Sequence, residues 1–93
     1  MTLRFAEAAL RDLDEILNFI AMNYPGSEAG FETRLRQSLA RIERWPGGAQ
    51  AFSPRAGVRV VPLIRYPSEI FYRSKGDIVE ILHIHHTGRQ DPA

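Results

Sequence analysis

The first half of the chain contains two stretches in which apolar residues recur every three or four positions. This spacing places them on one face of an α-helix, so each stretch predicts an amphipathic helix with one buried side. In residues 7–24 the apolar stripe consists of Ala9, Leu13, Ile16, Leu17, Ile20 and Tyr24. In the second stretch it consists of Phe31, Leu35, Leu39 and Ile42. Pro25 and Gly26 separate the two stretches, and Ser27 is suited to cap the second helix. The short connection predicts an antiparallel helical hairpin.

Strands are predicted on both sides of this hairpin. Residues 2–5 alternate between polar and apolar side chains, which is the period of a half-buried strand. Trp45-Pro46-Gly47-Gly48 ends the second helix, and residues 49–57 are expected to form an irregular loop. Three further strands are predicted, with the last two joined by a turn at residues 74–77; they cover residues 58–64, 68–73 and 78–86.

The predicted order of elements is β-α-α-β-β-β. Because the helices are grouped before a run of strands, this order predicts an α+β fold in which the helical hairpin covers one face of an antiparallel-rich, four-stranded sheet. Pro62 cannot donate a ladder hydrogen bond, which indicates that strand 58–64 lies at a sheet edge or carries a bulge. A chain of 93 residues supports one modest core, so we expect a single domain over residues 1–93.

Composition excludes several classes of function. The chain has no cysteine, so a disulfide framework, a thiolate zinc site and a cysteine nucleophile are excluded. It has no apolar run near the roughly 20 residues of a membrane span and no secretory leader, so we expect a cytoplasmic protein. The net charge of +1 is low for a dedicated duplex-DNA binder, although eleven of the twelve basic residues are arginine, which suits an anionic partner.

Three segments carry a resemblance to a known family. They are residues 9–21 (ALRDLDEILNFIA), residues 66–73 (YPSEIFYR) and residues 81–92 (ILHIHHTGRQDP). Together with the order of elements and the length, they resemble the RelE/ParE toxin superfamily across nearly the whole chain, and its ParE-like branch in particular. The resemblance implies a small toxin of a type II toxin-antitoxin system, which arrests growth and is held inactive in a hetero-oligomer by an antitoxin encoded beside it.

The two branches of the superfamily differ in target. ParE-like members resemble inhibitors of DNA gyrase, and RelE-like members resemble ribosome-dependent nucleases that cut messenger RNA. RelE-like nucleases usually carry an arginine where this chain has Glu69, and an acid there repels phosphate. The sequence also ends at Ala93, without the C-terminal helix whose tyrosine acts in many RelE-like enzymes. We therefore expect a non-enzymatic gyrase inhibitor. The alternatives are a ribosome-dependent mRNA endoribonuclease and a remnant that only binds its antitoxin.

The nuclease alternative depends on a few residues near the C-terminus. RNA cleavage needs a general acid or base together with clustered cations. His83 and His85 have the same side-chain parity on the last predicted strand, whereas His86 points the other way. Within the resemblance, Arg89 matches the tail arginine that RelE-like nucleases use on phosphate. A purely structural role for the histidines remains open. A zinc site would need a third ligand such as Asp91, whose placement is unknown, so neither a metal nor another cofactor is expected.

Candidate binding residues are arginines. Arg59, Arg65, Arg73 and Arg89 come from the strand region and its tail, and they form an anion-binding or target-binding patch only if they converge. Candidate contacts to an acidic antitoxin segment are Arg34, Arg41 and Arg44 on the second helix. The alternative for both sets is solubilising surface charge. Two further interpretations concern single elements: Asp12, Asp14 and Glu15 are taken as the solvated face of the first helix, and Trp45 as a packing cap on the core.

Overall fold

A computed structural model describes residues 2–86 of the chain. The helices are α1 (Glu7–Asn23) and α2 (Glu28–Arg44), followed by one 3₁₀ turn (Pro46–Gly48). The strands are β1 (Thr2–Phe5), β2 (Gln50–Ala51), β3 (Arg59–Pro62), β4 (Ser68–Lys75) and β5 (Ile78–His86). Two helices packed on one sheet confirm the predicted α+β class. No helix within the described range is long and apolar enough to cross a membrane.

The sheet has five strands in the order β1-β5-β4-β3-β2. β1 runs parallel to β5, and every other neighbouring pair is antiparallel. The predicted number of four strands was wrong, because β2 lies inside the segment that was expected to be an irregular loop. A strand of two residues is too short to show an alternating pattern. It is defined only by its pairing, in which Gln50 lies opposite Val60 and Ala51 lies opposite Arg59.

Two strand boundaries also differ from the prediction. β3 covers four residues rather than seven, and β2 pairs only with its first two, so Pro62 lies on an open edge as expected. β4 continues to Lys75, which leaves a two-residue turn to β5. The first residue of that turn, Gly76, has φ 60°, a conformation that glycine adopts without steric cost.

The core lies between the helices and one face of the sheet. α1 contributes Ala9, Ile16 and Ile20, and α2 contributes Phe31, Leu35 and Ile42. The sheet contributes Ile70, Tyr72, Val79, Ile81 and Ile84, and Leu63 joins them from the connection between β3 and β4. Both helical stripes predicted from the sequence therefore pack on the core, as their period requires, except for Tyr24, which is 60% exposed.

A bulge in β5 determines which side chains point away from this core. The residue pairing passes from Tyr72 opposite Ile81 to Phe71 opposite His83, so Leu82 is an extra residue on β5. Before the bulge Val79 and Ile81 face the helices; after it Ile84 does. An extra residue exchanges the two faces of a strand. His83 and His85 consequently point to the helix-free side of the sheet, called here the outer face, on which cross-strand pairing also places Glu69, Phe71, Arg73 and Glu80.

Candidate functional site

The last part of β5 has an open edge that a side chain of α1 covers. β1 pairs with β5 only as far as Ile81, so residues 82–86 have no strand on that side among the residues described. Because α1 starts directly after β1, Asp12 on α1 lies over this edge. Its Oδ2 accepts a hydrogen bond of 3.1 Å from the backbone N–H of Ile84. The carboxylate thus takes the place that a carbonyl of a neighbouring strand would occupy.

The same carboxylate oxygen contacts His83. The distance from His83 Nδ1 to Asp12 Oδ2 is 3.1 Å. A carboxylate only accepts hydrogen bonds, so Nδ1 carries the proton, and in the neutral ring Nε2 has the free lone pair. The His83 side chain is 52% exposed. The arrangement therefore presents a proton-accepting or metal-binding nitrogen to solvent in a fixed tautomer.

His85 stands beside His83 in a similar environment. Its Nδ1 lies 3.7 Å from Glu69 Oε1, its cross-strand neighbour on β4, and its side chain is 64% exposed. His86 lies on the other side, 3.5 Å from Ser68 Oγ and with its ring 4.9 Å from that of Phe19. The predicted parity of the three histidines is confirmed.

An open cleft of about 670 Å³ surrounds these groups. This β5 cleft is lined by Asp12, Glu15, Phe52, Arg55, Phe71, His83 and His85, among others. Phe52 packs edge-to-face on Phe71, with ring centroids 5.0 Å apart, and forms an apolar wall. Among residues 2–86, two carboxylates and one guanidinium line the cleft, so with neutral imidazoles the formal charge of these lining residues is negative.

Asp12 is the residue of this site that the sequence did not predict. It was interpreted as part of a solvated helix face, and that interpretation was wrong for Asp12 because the open edge of β5 lies beneath it. Its contacts are with residues 71 and 72 positions away. No local pattern in the sequence reports such a contact.

The structure does not bring Arg59 and Arg73 together on one face of the sheet. Arg59 lies opposite Tyr72 and so faces the helices, where its Nη1 donates a 2.6 Å hydrogen bond to the Ala49 carbonyl. Arg73 lies on the outer face, 3.0 Å from Glu80. Arg65 lies in the β3–β4 connection at φ 74°. Arg59 and Arg73 therefore point to opposite sides of the sheet. Arg89 lies outside the described residues.

Tyr72 and Arg59 anchor the segment after α2. The Tyr72 hydroxyl donates a 2.6 Å hydrogen bond to the Pro46 carbonyl, and burial raises the pKa of this tyrosine, with the positive charge of Arg59 acting in the opposite direction. Trp45, just before Pro46, was expected to cap the core. That expectation was wrong, because its ring is directed outward and Trp45 is 58% exposed. The Arg44 guanidinium lies 5.5 Å from the Trp45 ring centroid.

A second concave surface lies between α2 and the open edge of β3. This α2 groove encloses about 590 Å³. Arg34 and Arg41, two of the predicted antitoxin contacts, line it, and Arg44 lies beside it on the Trp45 ring. Two exposed apolar side chains, Trp45 and Ile64, also line the groove. Among the described residues the groove therefore combines an apolar surface, two cationic side chains, the Glu69 carboxylate and a strand edge beyond the pairing with β2.

A third, smaller cleft of about 280 Å³ lies between the helical hairpin and the start of β4. Four aromatic rings line it: Phe19, Tyr24, Phe31 and Tyr66. The Tyr66 ring packs edge-to-face on Phe31, and its hydroxyl approaches Gly30 so closely that a Cβ at that position would lie 2.7 Å from it. The absence of a side chain at Gly30 thus leaves the space that the Tyr66 hydroxyl occupies.

Comparisons with known proteins identify the fold and the family. A chain from the chromosomal ParDE toxin-antitoxin system of P. aeruginosa superposes with a TM-score of 0.82 at 26% identity, over 94% of this chain and 96% of that one. No curated protein sequence matches the chain. The family model of the ParE toxin of the type II toxin-antitoxin system parDE matches residues 3–91. The chain therefore belongs to the ParE toxin family of type II toxin-antitoxin systems.

Proposed function

We propose that this chain is the toxin of a two-protein operon and arrests growth in the cytoplasm by inhibiting DNA gyrase. Membership of the ParE toxin family carries the proposal. Two features of the sheet add support, because they disfavour a phosphate-binding nuclease site. Glu69 places a carboxylate 3.7 Å from His85, and Arg59 and Arg73 lie on opposite sides of the sheet. Neither feature provides the clustered cations that a phosphoryl transition state needs.

The α2 groove is our proposed binding site for the cognate antitoxin. An antitoxin segment that folds on binding needs an apolar surface to bury and an edge or groove to follow. Trp45 and Ile64 supply the apolar surface, and β3 beyond its pairing with β2 supplies the edge. Arg34 and Arg41 favour acidic side chains on the partner. The partner is accordingly an amphipathic, acidic segment, and the complex is a hetero-oligomer.

The gyrase contacts are proposed to include Arg65 and Arg73, which are exposed, together with Arg89 of the tail. Arg59 is removed from this set because its guanidinium binds the Ala49 carbonyl and its replacement would disturb the fold. Alanine variants of the three arginines should weaken the inhibition of supercoiling. Arg36→Ala is a matched control, since Arg36 lies on α2, is 80% exposed and pairs only weakly with Glu32 at 3.7 Å.

The decisive experiment follows gyrase supercoiling and transcript integrity with the same purified chain. Inhibition of supercoiling with intact transcripts in a translating extract is the expected result. No inhibition at micromolar excess of toxin over gyrase would refute the proposal.

A ribosome-dependent endoribonuclease is the competing function, and one observation favours it. Asp12 fixes the tautomer of His83 so that Nε2 is ready to accept a proton. This mechanism would use His83 or His85 with Arg89. It predicts codon-phased cuts that disappear in His83→Ala and in Arg89→Ala, together with unaffected gyrase.

A further inference from the structure

The two outward histidines of β5 form a pair with the spacing of a chelate. Residues two apart on a strand lie on the same face, about 6.6 Å apart at the backbone. His83 and His85 satisfy this condition by their spacing, and the Leu82 bulge turns both to the outer face. We infer that His83 and His85 bind a divalent transition-metal ion between their Nε2 atoms, at the mouth of the β5 cleft.

A carboxylate behind His83 orients that ring for this purpose, and a second carboxylate lies near His85. Metal-binding histidines usually donate their second ring N–H to a carboxylate or carbonyl, which fixes the tautomer and makes the other nitrogen a better ligand. Asp12 lies 3.1 Å from Nδ1 of His83, and Glu69 lies 3.7 Å from Nδ1 of His85. Both rings therefore have a carboxylate at the nitrogen that does not bind the ion. Asp12 is itself fixed by the Ile84 N–H.

Charge also favours a cation over an anion at this place. Asp12 and Glu15 line the cleft and Glu69 lies beside His85, whereas Arg55 is the guanidinium that lines the cleft among the described residues. Within residues 2–86 no cluster of three or more metal-binding side chains exists. Among these described residues the site thus has two protein ligands, and water or a side chain of a bound partner can supply further ligands. Imidazole ligands predict the order Cu²⁺ above Ni²⁺ above Zn²⁺ in affinity.

The inference is tested by calorimetric titration of the untagged full chain, freed of metal with a chelator, with NiCl₂ and with ZnCl₂. One ion per chain is expected to bind, more tightly for Ni²⁺ than for Zn²⁺. His83→Ala and His85→Ala should each reduce the affinity at least tenfold. His86→Ala is the matched control, because it removes a neighbouring imidazole on the opposite side of the strand and should leave the affinity within about twofold.

A further variant tests whether the carboxylate behind His83 increases the affinity for the metal ion. Asp12→Asn removes the charge behind His83, and the affinity should fall about tenfold, which is the lower end of the effect of losing such an outer partner. Thermal unfolding without metal checks that each variant is folded, and His85→Ala leaves the Asp12–His83 contact intact if His83→Ala does not fold. Equal losses in the His85→Ala and His86→Ala variants, or binding that persists when His83 and His85 are both replaced, would overturn the inference. None of these outcomes depends on what the toxin inhibits.

Discussion

Replacing Asp12 with alanine should destabilise the fold far more than its position on a helix surface suggests. The substitution leaves the Ile84 N–H without its acceptor and His83 without its partner. A hydrogen bond to a charged group contributes about 1.5–3 kcal/mol, whereas an exposed histidine–carboxylate pair contributes roughly 0–1 kcal/mol. In the variant, water at the open edge accepts a hydrogen bond from the Ile84 N–H and so restores part of the energy of the lost backbone hydrogen bond. We therefore expect a loss of about 2 kcal/mol, because the backbone hydrogen bond dominates.

The measurement is urea unfolding of matched variants. Asp14→Ala is the control, since Asp14 is an exposed aspartate on the same helix and the gain in helix propensity is shared by both substitutions. The difference between the two variants is then the contribution of the edge contacts. A loss of about 2 kcal/mol corresponds to a fall in Tm of roughly 8–16 °C for a domain of this size. Asp12→Asn should retain part of the stability, because its amide oxygen still accepts one hydrogen bond.

Equal stabilities of the Asp12→Ala and Asp14→Ala variants would refute this reasoning. A double-mutant cycle with His83→Ala separates the two contacts. If the loss persists undiminished when His83 is already alanine, the Ile84 N–H carries it, as the magnitudes predict. If it disappears, the imidazole is the important partner and the edge hydrogen bond contributes little.

Three further predictions concern other parts of the molecule. Helix propensity alone predicts that Gly30→Ala adds up to about 1 kcal/mol, but the Tyr66 hydroxyl occupies the space of the new Cβ, so urea unfolding should show no gain. The gain should reappear when the same change is made in a Tyr66→Phe background. The pKa of Tyr72 is raised by burial above its ordinary value of 10.0, so its contribution to stability is present below that pH and is lost as the pH rises through the raised pKa. Tyr72→Phe should therefore flatten the alkaline end of the stability profile, and an unchanged slope would contradict the assignment. In the α2 groove, Arg41→Glu should weaken antitoxin binding at least tenfold by calorimetry, whereas Arg36→Glu, outside the groove, should not.

The helices could be predicted from the sequence because their signal is local. Fifteen or more residues repeat one period, and burial of the stripe then follows with little dependence on the rest of the chain. β2 could not be predicted in this way. Its two residues carry no period and are strand only through the pairing with Val60 and Arg59. The same argument applies to the end of β4, which extends to Lys75 because the chain pairs with Ile78.

The site was predicted in part, for the same physical reason. His83 and His85 are two residues apart on a strand, so strand geometry places them on the same side. This could be predicted from the sequence. Which side they occupy depends on the pairing of β5 with β4. The identity of the group behind His83 depends on α1 crossing the open edge of β5, a contact between residues 71 positions apart. Arg59 was predicted to lie on the binding surface because of its charge. Its position on β3 instead turns it toward the helices, where it binds the Ala49 carbonyl.

The extra residue at Leu82 makes the length of β5 as important as its composition. If one residue were deleted there, the strict alternation of the strand would be restored and every side chain beyond that point would change sides. Ile84 would be turned to solvent, and His83 and His85 would be directed among the apolar side chains that contact the helices. A deletion that leaves the amino-acid content of the strand almost unchanged would thus remove a core residue and bury two imidazoles. In this strand a change of length is therefore more damaging than most changes of residue.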